Sequence, residues 1–365
     1  MKYYLIAGER SGDMHGANLM KGIKNHDPDA EFRGFGGDLM AQQGMNLQTH
    51  YSQTAFMGFV EVIKNLGIIS KLLKKCQQDL LTYTPDVLVL IDYPGFNLRM
   101  AAFAKKNNIR VFYYISPKVW AWNQRRALKI KANVDKLFTI FSFETAFFAQ
   151  YDYPVDYVGN PIMDALAAFR PNPNFKSENQ LTALPIVALL PGSRQQELQN
   201  MLTVMLEVAS RFPAYQFVVA GVANLPATAY PPNAKVISEA TYDLLHVATA
   251  ALVTSGTATL ETALFNVPQV VCYKTSGLTY RLAKWFIKVK YLSLVNLILD
   301  KPVVKELIQS QLTVENLERE LQKILPPNSQ RNAQLADYTT LRQLVGAPGA
   351  SERAGALMVK YLTVN

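Results

Sequence analysis

Short uninterrupted apolar runs alternate with stretches of helical periodicity along most of the chain. The runs KYYLIAG (2–8), PDVLVLID (85–92), RVFYYIS (110–116), KLFTIF (136–141) and VDYVG (155–159) read as strands. Their continuous apolar character suits a parallel sheet covered on both faces. Between them, residues 12–25, 96–106 and 144–151 carry helical spacing. A second series follows with PIVALLPGS (185–193), YQFVVAG (215–221), KVISEA (235–240), AALVTSG (250–256) and QVVCY (269–273). Strand and helix alternate in both series, so the chain reads as two α/β units in tandem. The Pro- and Asn-rich stretch 170–185 marks the join. The expected division is an N-terminal domain over 1–165, a C-terminal domain over 166–345, and a closing helix over 346–365 that packs back on the first domain.

Composition narrows the class. The chain has 365 residues, 49% hydrophobic and 18% charged, which is ordinary for a globular protein of two domains. Two cysteines, Cys76 and Cys272, make no disulfide framework and suit a reducing compartment. The apolar run before Glu9 is too short for a signal peptide, and no stretch is apolar and uncharged for the ~18 residues a membrane span needs. A cytoplasmic protein is expected. The net charge of +9 points to nucleic acid, acidic lipid or phosphorylated metabolites as partners. No DNA- or RNA-binding motif accompanies it, which disfavours nucleic acid. Residues 274–291 (KTSGLTYRLAKWFIKVKY) hold five basic residues and no acid. Leu278, Leu282, Trp285, Phe286 and Val289 recur at helical spacing, with Arg281, Lys284 and Lys288 on another face. Such a helix lies on a membrane surface or packs on a core with its basic side in water.

The polar motifs fall at the carboxyl ends of strands, where open parallel sheets bind their ligands. GERSGDMHG (8–16) follows the first strand and DYPGFN (92–97) the 85–92 strand. PGSRQQE (191–197) and TSGTATLE (254–261) follow two strands of the second series. If the sheets face one another, these ends converge on a cleft. The run Ser255, Gly256, Thr257, Ala258, Thr259 fills a core poorly. It suits a helix N-terminus whose free N–H groups meet an anion. No Cys/His cluster has metal-ligand spacing, and GERSGD in place of GxGxxG argues against a nicotinamide-dependent oxidoreductase.

Together, AGERSGDMHGA, MGFVEV, IDYPGFN, SPKVWAW, LLPGSR, SGTATLE and YLSLVNLIL, in that order from residue 7 to about 308, resemble the lipid-A-disaccharide synthases. The resemblance implies an α/β, GT-B type fold, two Rossmann-like domains facing a central cleft. It implies an inverting transfer from UDP-2,3-diacylglucosamine to 2,3-diacylglucosamine 1-phosphate, making a β-1,6-linked disaccharide and releasing UDP. It further implies no cofactor, no metal and peripheral work at the cytoplasmic face of the inner membrane, and is compatible with a homodimer. Asp92 matches the family's proposed base, since the attacking hydroxyl must lose a proton; otherwise it caps a turn. Arg194, after Gly192 and Ser193, would neutralise the leaving diphosphate. Ser255, Gly256, Thr257 and Ala258 would meet the diphosphate and Glu261 the ribose. Capping and the helix dipole explain Ser255 and Glu261 equally well. Asn296, polar in an apolar run, is either a UDP contact or a buried structural amide. Glu9 and Ser11 are candidates for the acceptor sugar or its phosphate, with His15 beside them. Trp120 and Trp122 read as core or cleft wall. The helix over 56–75, with Val62, Leu66, Ile69 and Leu73 on one face, and that over 278–289 are candidate apolar surfaces for acyl chains. Another UDP-sugar GT-B enzyme, such as an N-acetylglucosaminyltransferase or a 2-epimerase, and a non-catalytic glycolipid-binding protein are the competing readings.

Overall fold

The computed structural model describes residues 1–53, 66–122, 124–192, 195–222, 225–275 and 290–364. MGFVEV, Ser193, Arg194 and the basic segment 278–289 therefore lie outside the described residues. The chain divides into two compact units, Met1–Ala167 joined by Val345–Asn365, and Ala168–Leu344.

The first unit holds a parallel sheet of β1 (Lys2–Ala7), β2 (Glu31–Gly36), β3 (Asn46–His50), β4 (Val87–Ile91), β5 (Arg110–Tyr114), β6 (Lys136–Thr139) and β7 (Asp156–Tyr157). Their order is β3-β2-β1-β4-β5-β6-β7. Successive residues of a strand point to opposite faces, and both faces are apolar here. Tyr3, Leu5, Val87 and Val89 pack on one side with Leu19, Met20 and Ile23 of the helix Arg10–Lys24. Tyr4, Ile6, Leu88 and Leu90 pack on the other with Cys76, Leu80, Met100 and Ile130. A fully buried Leu or Ile contributes about 1.5–3 kcal/mol, and two covered faces explain why β1 and β4 show no polar alternation.

The helix Ala350–Thr363 belongs to this first unit. Its Ala354, Met358 and Val359 complete the core on the Leu19 side. Asp164 accepts from the amides of Gly349, Ala350 and Ser351, capping its N-terminus. The two helices approach closely enough that a Cβ on Gly355 would sit 2.4 Å from the Gly22 carbonyl carbon, and one on Gly22 would sit 2.5 Å from the Ser351 oxygen. The obstacles are backbone, so no rotamer relieves them. Gly355→Ala is expected to lower stability by about 1–3 kcal/mol through overpacking, although alanine favours a helix interior by about 1 kcal/mol. The midpoint of urea unfolding checks this; an unchanged or raised midpoint would show that the helices can part freely.

The second unit repeats the scheme. It contains β8 (Ile186–Leu190), β9 (Gln216–Gly221), β10 (Val236–Ser238), β11 (Ala248–Thr254), β12 (Gln269–Tyr273) and β13 (Lys305–Ile308), in the parallel order β10-β9-β8-β11-β12-β13. Val187, Leu189 and Leu252 pack against Met201, Met205, Leu317 and Leu321. Ile186, Ala188, Ala251 and Val253 pack against Leu244 and Leu245. In each sheet the strand order reverses between two neighbours, β1 and β4 in one and β8 and β11 in the other. Those are the crevices where doubly wound sheets take their ligands.

Candidate active site

At the first reversal, Ala7 lies opposite Ile91, so Glu9 and Asp92 leave adjacent strands at the same edge. Asp92 and Tyr93 take successive left-handed conformations, φ 45° and 49°, each unfavourable by about 1–2 kcal/mol for a residue with a Cβ. The fold holds them there. Asp92 N–H donates to the Tyr114 carbonyl at 3.2 Å. The Asp92 carbonyl accepts from Asn97 Nδ2 at 2.7 Å and from the Tyr113 hydroxyl. The Tyr93 ring stacks on Phe96, centroids 5.9 Å apart, and covers Gly8 so closely that a Cβ there would sit 2.2 Å from it. Gly8 is glycine for that reason. The backbone is over-determined, and Asp92 is half-buried at the strand end. Burial raises its pKa; Lys118 and the Tyr93 amide oppose the shift. Backbone strain concentrated at a carboxylate is a pointer to function.

Asn97 was not singled out from sequence. It is fully buried, and its Nδ2 also reaches the carbonyls of Ile6 and Ile91, tying the ends of β1 and β4 together. Glu9 is half-buried at the N-cap of Arg10–Lys24 and does not cap it with its side chain. Burial raises the Tyr93 phenol pKa, and the charge of Glu9 adds to the shift. Ser11 is exposed in the first turn. Among the described residues nothing bonds the buried Nδ1 of His15, and burial lowers its pKa to about 4, so it is neutral. Asp13 of the same motif is structural: it accepts from the amides of Gly37, Leu39 and Met40.

Trp120 is core, as expected. It is buried and donates through Nε1 to Glu144 at 3.2 Å. Glu144 also accepts from the amides of Ile140 and Phe141. Burial raises its pKa from 4.5 to about 7 against those donors. The folded chain thus keeps a proton that the unfolded chain releases above 4.5. The stability this confers is whole below the unfolded value and is lost as pH rises through about 7, a change of about 3 kcal/mol. Urea unfolding at pH ~5 and ~8 should show this loss, and Glu144→Gln, neutral throughout, should remove it. Equal slopes in both proteins would assign the pH dependence elsewhere.

At the second reversal, Val253 lies opposite Leu190, which brings Gly192 and Ser255 to the same edge. Gly192 has φ 115°, and a Cβ there would sit 2.3 Å from Glu197 Oε2; both facts require glycine. Gly256, φ 152°, is the N-cap of the helix Thr257–Leu264. The Ser255 hydroxyl donates to the Leu292 carbonyl at 3.0 Å. The Thr259 hydroxyl donates to the Gly256 carbonyl and accepts from the Leu294 amide. These hydroxyls organise the turn. The groups left to meet an anion are the first helical amides, those of Thr257 and Ala258, and the exposed Thr257 side chain. Glu261 is half-buried, one turn in. Its Oε1 accepts from the Tyr242 hydroxyl at 2.9 Å, and burial raises its pKa against that bond.

Asn296 is hydrogen-bonded within the protein. It is 1% exposed. Its Nδ2 donates to the Val304 carbonyl and Glu306 Oε1, and its Oδ1 accepts from the Val304 amide. Glu306, unremarked in the sequence, also takes the amides of Leu292 and Ser293. Through Leu292 and Ser293 it holds the segment whose Leu292 carbonyl and Leu294 amide meet Ser255 and Thr259. A concavity of about 600 Å³ beside β13 is lined by Lys305, Glu306 and Lys323 and by Tyr291 and Asn296 of the YLSLVNLIL motif. Among the described residues no group of His, Cys, Asp and Glu has the makings of a metal site.

The sequence model of the lipid-A-disaccharide synthetase family matches residues 3–359. A lipid-A-disaccharide synthase of Syntrophus aciditrophicus is 38% identical, covering 98% of this chain and 97% of its own. One of Geobacter metallireducens is 35% identical, covering 98% and 96%. Among solved structures, the UDP-GlcNAc 2-epimerase of Neisseria meningitidis has a TM-score of 0.67 at 13% identity, covering both chains fully. The glycosyltransferase of kitacinnamycin has 0.65 at 11%, covering 99% of each. These likenesses show the shared GT-B type α/β fold. The chain belongs to the lipid-A-disaccharide synthase family, glycosyltransferases that form the lipid A disaccharide.

Proposed function

We propose that the chain transfers 2,3-diacylglucosamine from its UDP derivative to the 6-hydroxyl of 2,3-diacylglucosamine 1-phosphate, with inversion. The observation that carries the chemistry is Asp92, a carboxylate of raised pKa fixed on a strained, clamped turn at a strand reversal. A base needs affinity for the proton it removes, and burial supplies it. Asp92 takes the hydroxyl proton as the oxygen bonds to the anomeric carbon. The bond from that carbon to the β-phosphate oxygen breaks, and UDP leaves with the electron pair. We assign the leaving charge to Arg194, the loop at Gly192 and Ser193, and the amides of Thr257 and Ala258. Glu261 takes the ribose. Asn296 is moved from contact to support. Glu9 and Ser11 remain the acceptor candidates, at the same sheet edge as the base.

Both substrates carry acyl chains, so we place the reaction at the surface of the inner membrane. No helix among the described residues is long and apolar enough to cross one. The helix Leu66–Tyr83 leaves Ile68 46% exposed beside exposed Lys71 and Lys74, a pairing that suits an interface. The test is UDP release from UDP-diacylglucosamine in mixed micelles, with and without the acceptor monosaccharide phosphate. Release that depends on acceptor and yields the disaccharide supports the reading. Release without acceptor, or a free sugar as product, would replace it with a hydrolase or epimerase.

A further inference from the structure

We propose that Tyr242 is a positioning residue for the nucleotide, holding Glu261 so that a single carboxylate oxygen faces the ribose. The inference rests on the UDP reading above. Tyr242 stands in the short helix Thr241–Val247, after β10. Its ring is wedged between Phe265, centroids 5.0 Å apart, and Phe169, 5.6 Å away and edge-on. Those contacts fix where the phenol oxygen can be. It lies 2.9 Å from Glu261 Oε1. Among the described residues, no donor reaches Oε2.

A carboxylate in a half-buried site can turn about its last torsion and shift its hydrogen-bonding edge. A donor on one oxygen stops that rotation and leaves the other to accept from a ligand. Hydroxyl donors to a charged acceptor form short, directional bonds, and vicinal ribose hydroxyls are such donors. Tyr242 touches no substrate in this arrangement; it acts through Glu261. An aromatic at this place has an obvious packing role as well, so the test must read something packing alone would not move.

That readout is the preference for ribose hydroxyls. UDP and 2′,3′-dideoxy-UDP are titrated calorimetrically into the full chain, the Tyr242→Phe variant, Glu261→Gln and the double variant. Phe keeps the ring between Phe169 and Phe265 and removes only the hydroxyl. The wild type is expected to prefer UDP, and Tyr242→Phe to reduce that preference by about fivefold to tenfold while dideoxy-UDP binds as before. In the Glu261→Gln background the same change should add nothing. An unchanged preference in Tyr242→Phe overturns the proposal, as does an equal loss for both nucleotides, which would make Tyr242 a packing residue. Wild-type binding of UDP with preference intact keeps the nucleotide reading in either case. Failure of the wild type to bind UDP, or to distinguish the two probes, overturns that reading of Glu261 and this inference with it.

Discussion

Asp92→Asn is expected to lower the single-turnover rate by about 100- to 10,000-fold while UDP affinity stays within about twofold of wild type. The carboxamide keeps the size of the side chain but cannot take the proton of the attacking hydroxyl. Asparagine tolerates a left-handed backbone nearly as well as aspartate, so the turn at φ 45° survives. The clamps on that turn are the Tyr114 carbonyl, Asn97 and the Tyr113 hydroxyl, and all act on the Asp92 backbone. UDP is assigned to the other unit, hence the unchanged affinity. Stopped-flow transfer with pre-bound donor, beside calorimetric titration of UDP, measures both. A near-normal rate would return Asp92 to a turn residue, with Glu9 as the next base to examine.

Glu306→Ala is expected to act in the opposite way, on folding and nucleotide affinity before chemistry. The carboxylate is the shared acceptor for the Leu292 and Ser293 amides and for Asn296 Nδ2. Each donor left without a partner costs about 1–3 kcal/mol. Asn296 keeps its bond to Val304, so about 3 kcal/mol in all is the expected loss of stability. Freed of its tether, the 292–294 segment no longer holds Ser255 and Thr259 at the head of their helix, and UDP affinity should fall by about tenfold or more. Glu306→Gln retains one acceptor and should recover part of both effects. Urea unfolding and UDP titration report them separately. Full stability in the alanine variant would mean that the segment is held without Glu306.

The comparison of these two residues shows what a sequence reveals. Asp92 ends a run of unbroken apolar residues, and a charge there stands out. Glu306 sits in KELI, where nothing marks it, because its partners lie ten or more residues earlier and are mostly backbone. Asn97, Tyr113 and Tyr242 were missed for the same reason: each positions a functional group by a contact made only after folding. The central strands were legible because both their faces are covered, which demands continuous apolar character. EFRGFG in β2, NLQTH in β3 and KELI in β13 were not recognised. β3 and β13 lie at sheet edges, where half-polar composition suffices, and in β2 two of the positions are glycine. Asn296 was visible as an oddity, but its partners Val304 and Glu306 decide its role.

The helix Ala350–Thr363 also has a consequence for how the chain is made. It supplies Ala354, Met358 and Val359 to the core of the first unit, yet the ribosome reaches it about 180 residues after Ala167. At ~5–20 residues per second, the core on the Leu19 side of the first sheet stays incomplete for roughly 10–40 s. During that interval the core around Leu19, Met20 and Ile23 lacks Ala354, Met358 and Val359. The core of the first unit therefore closes only when a helix encoded about 180 codons later arrives.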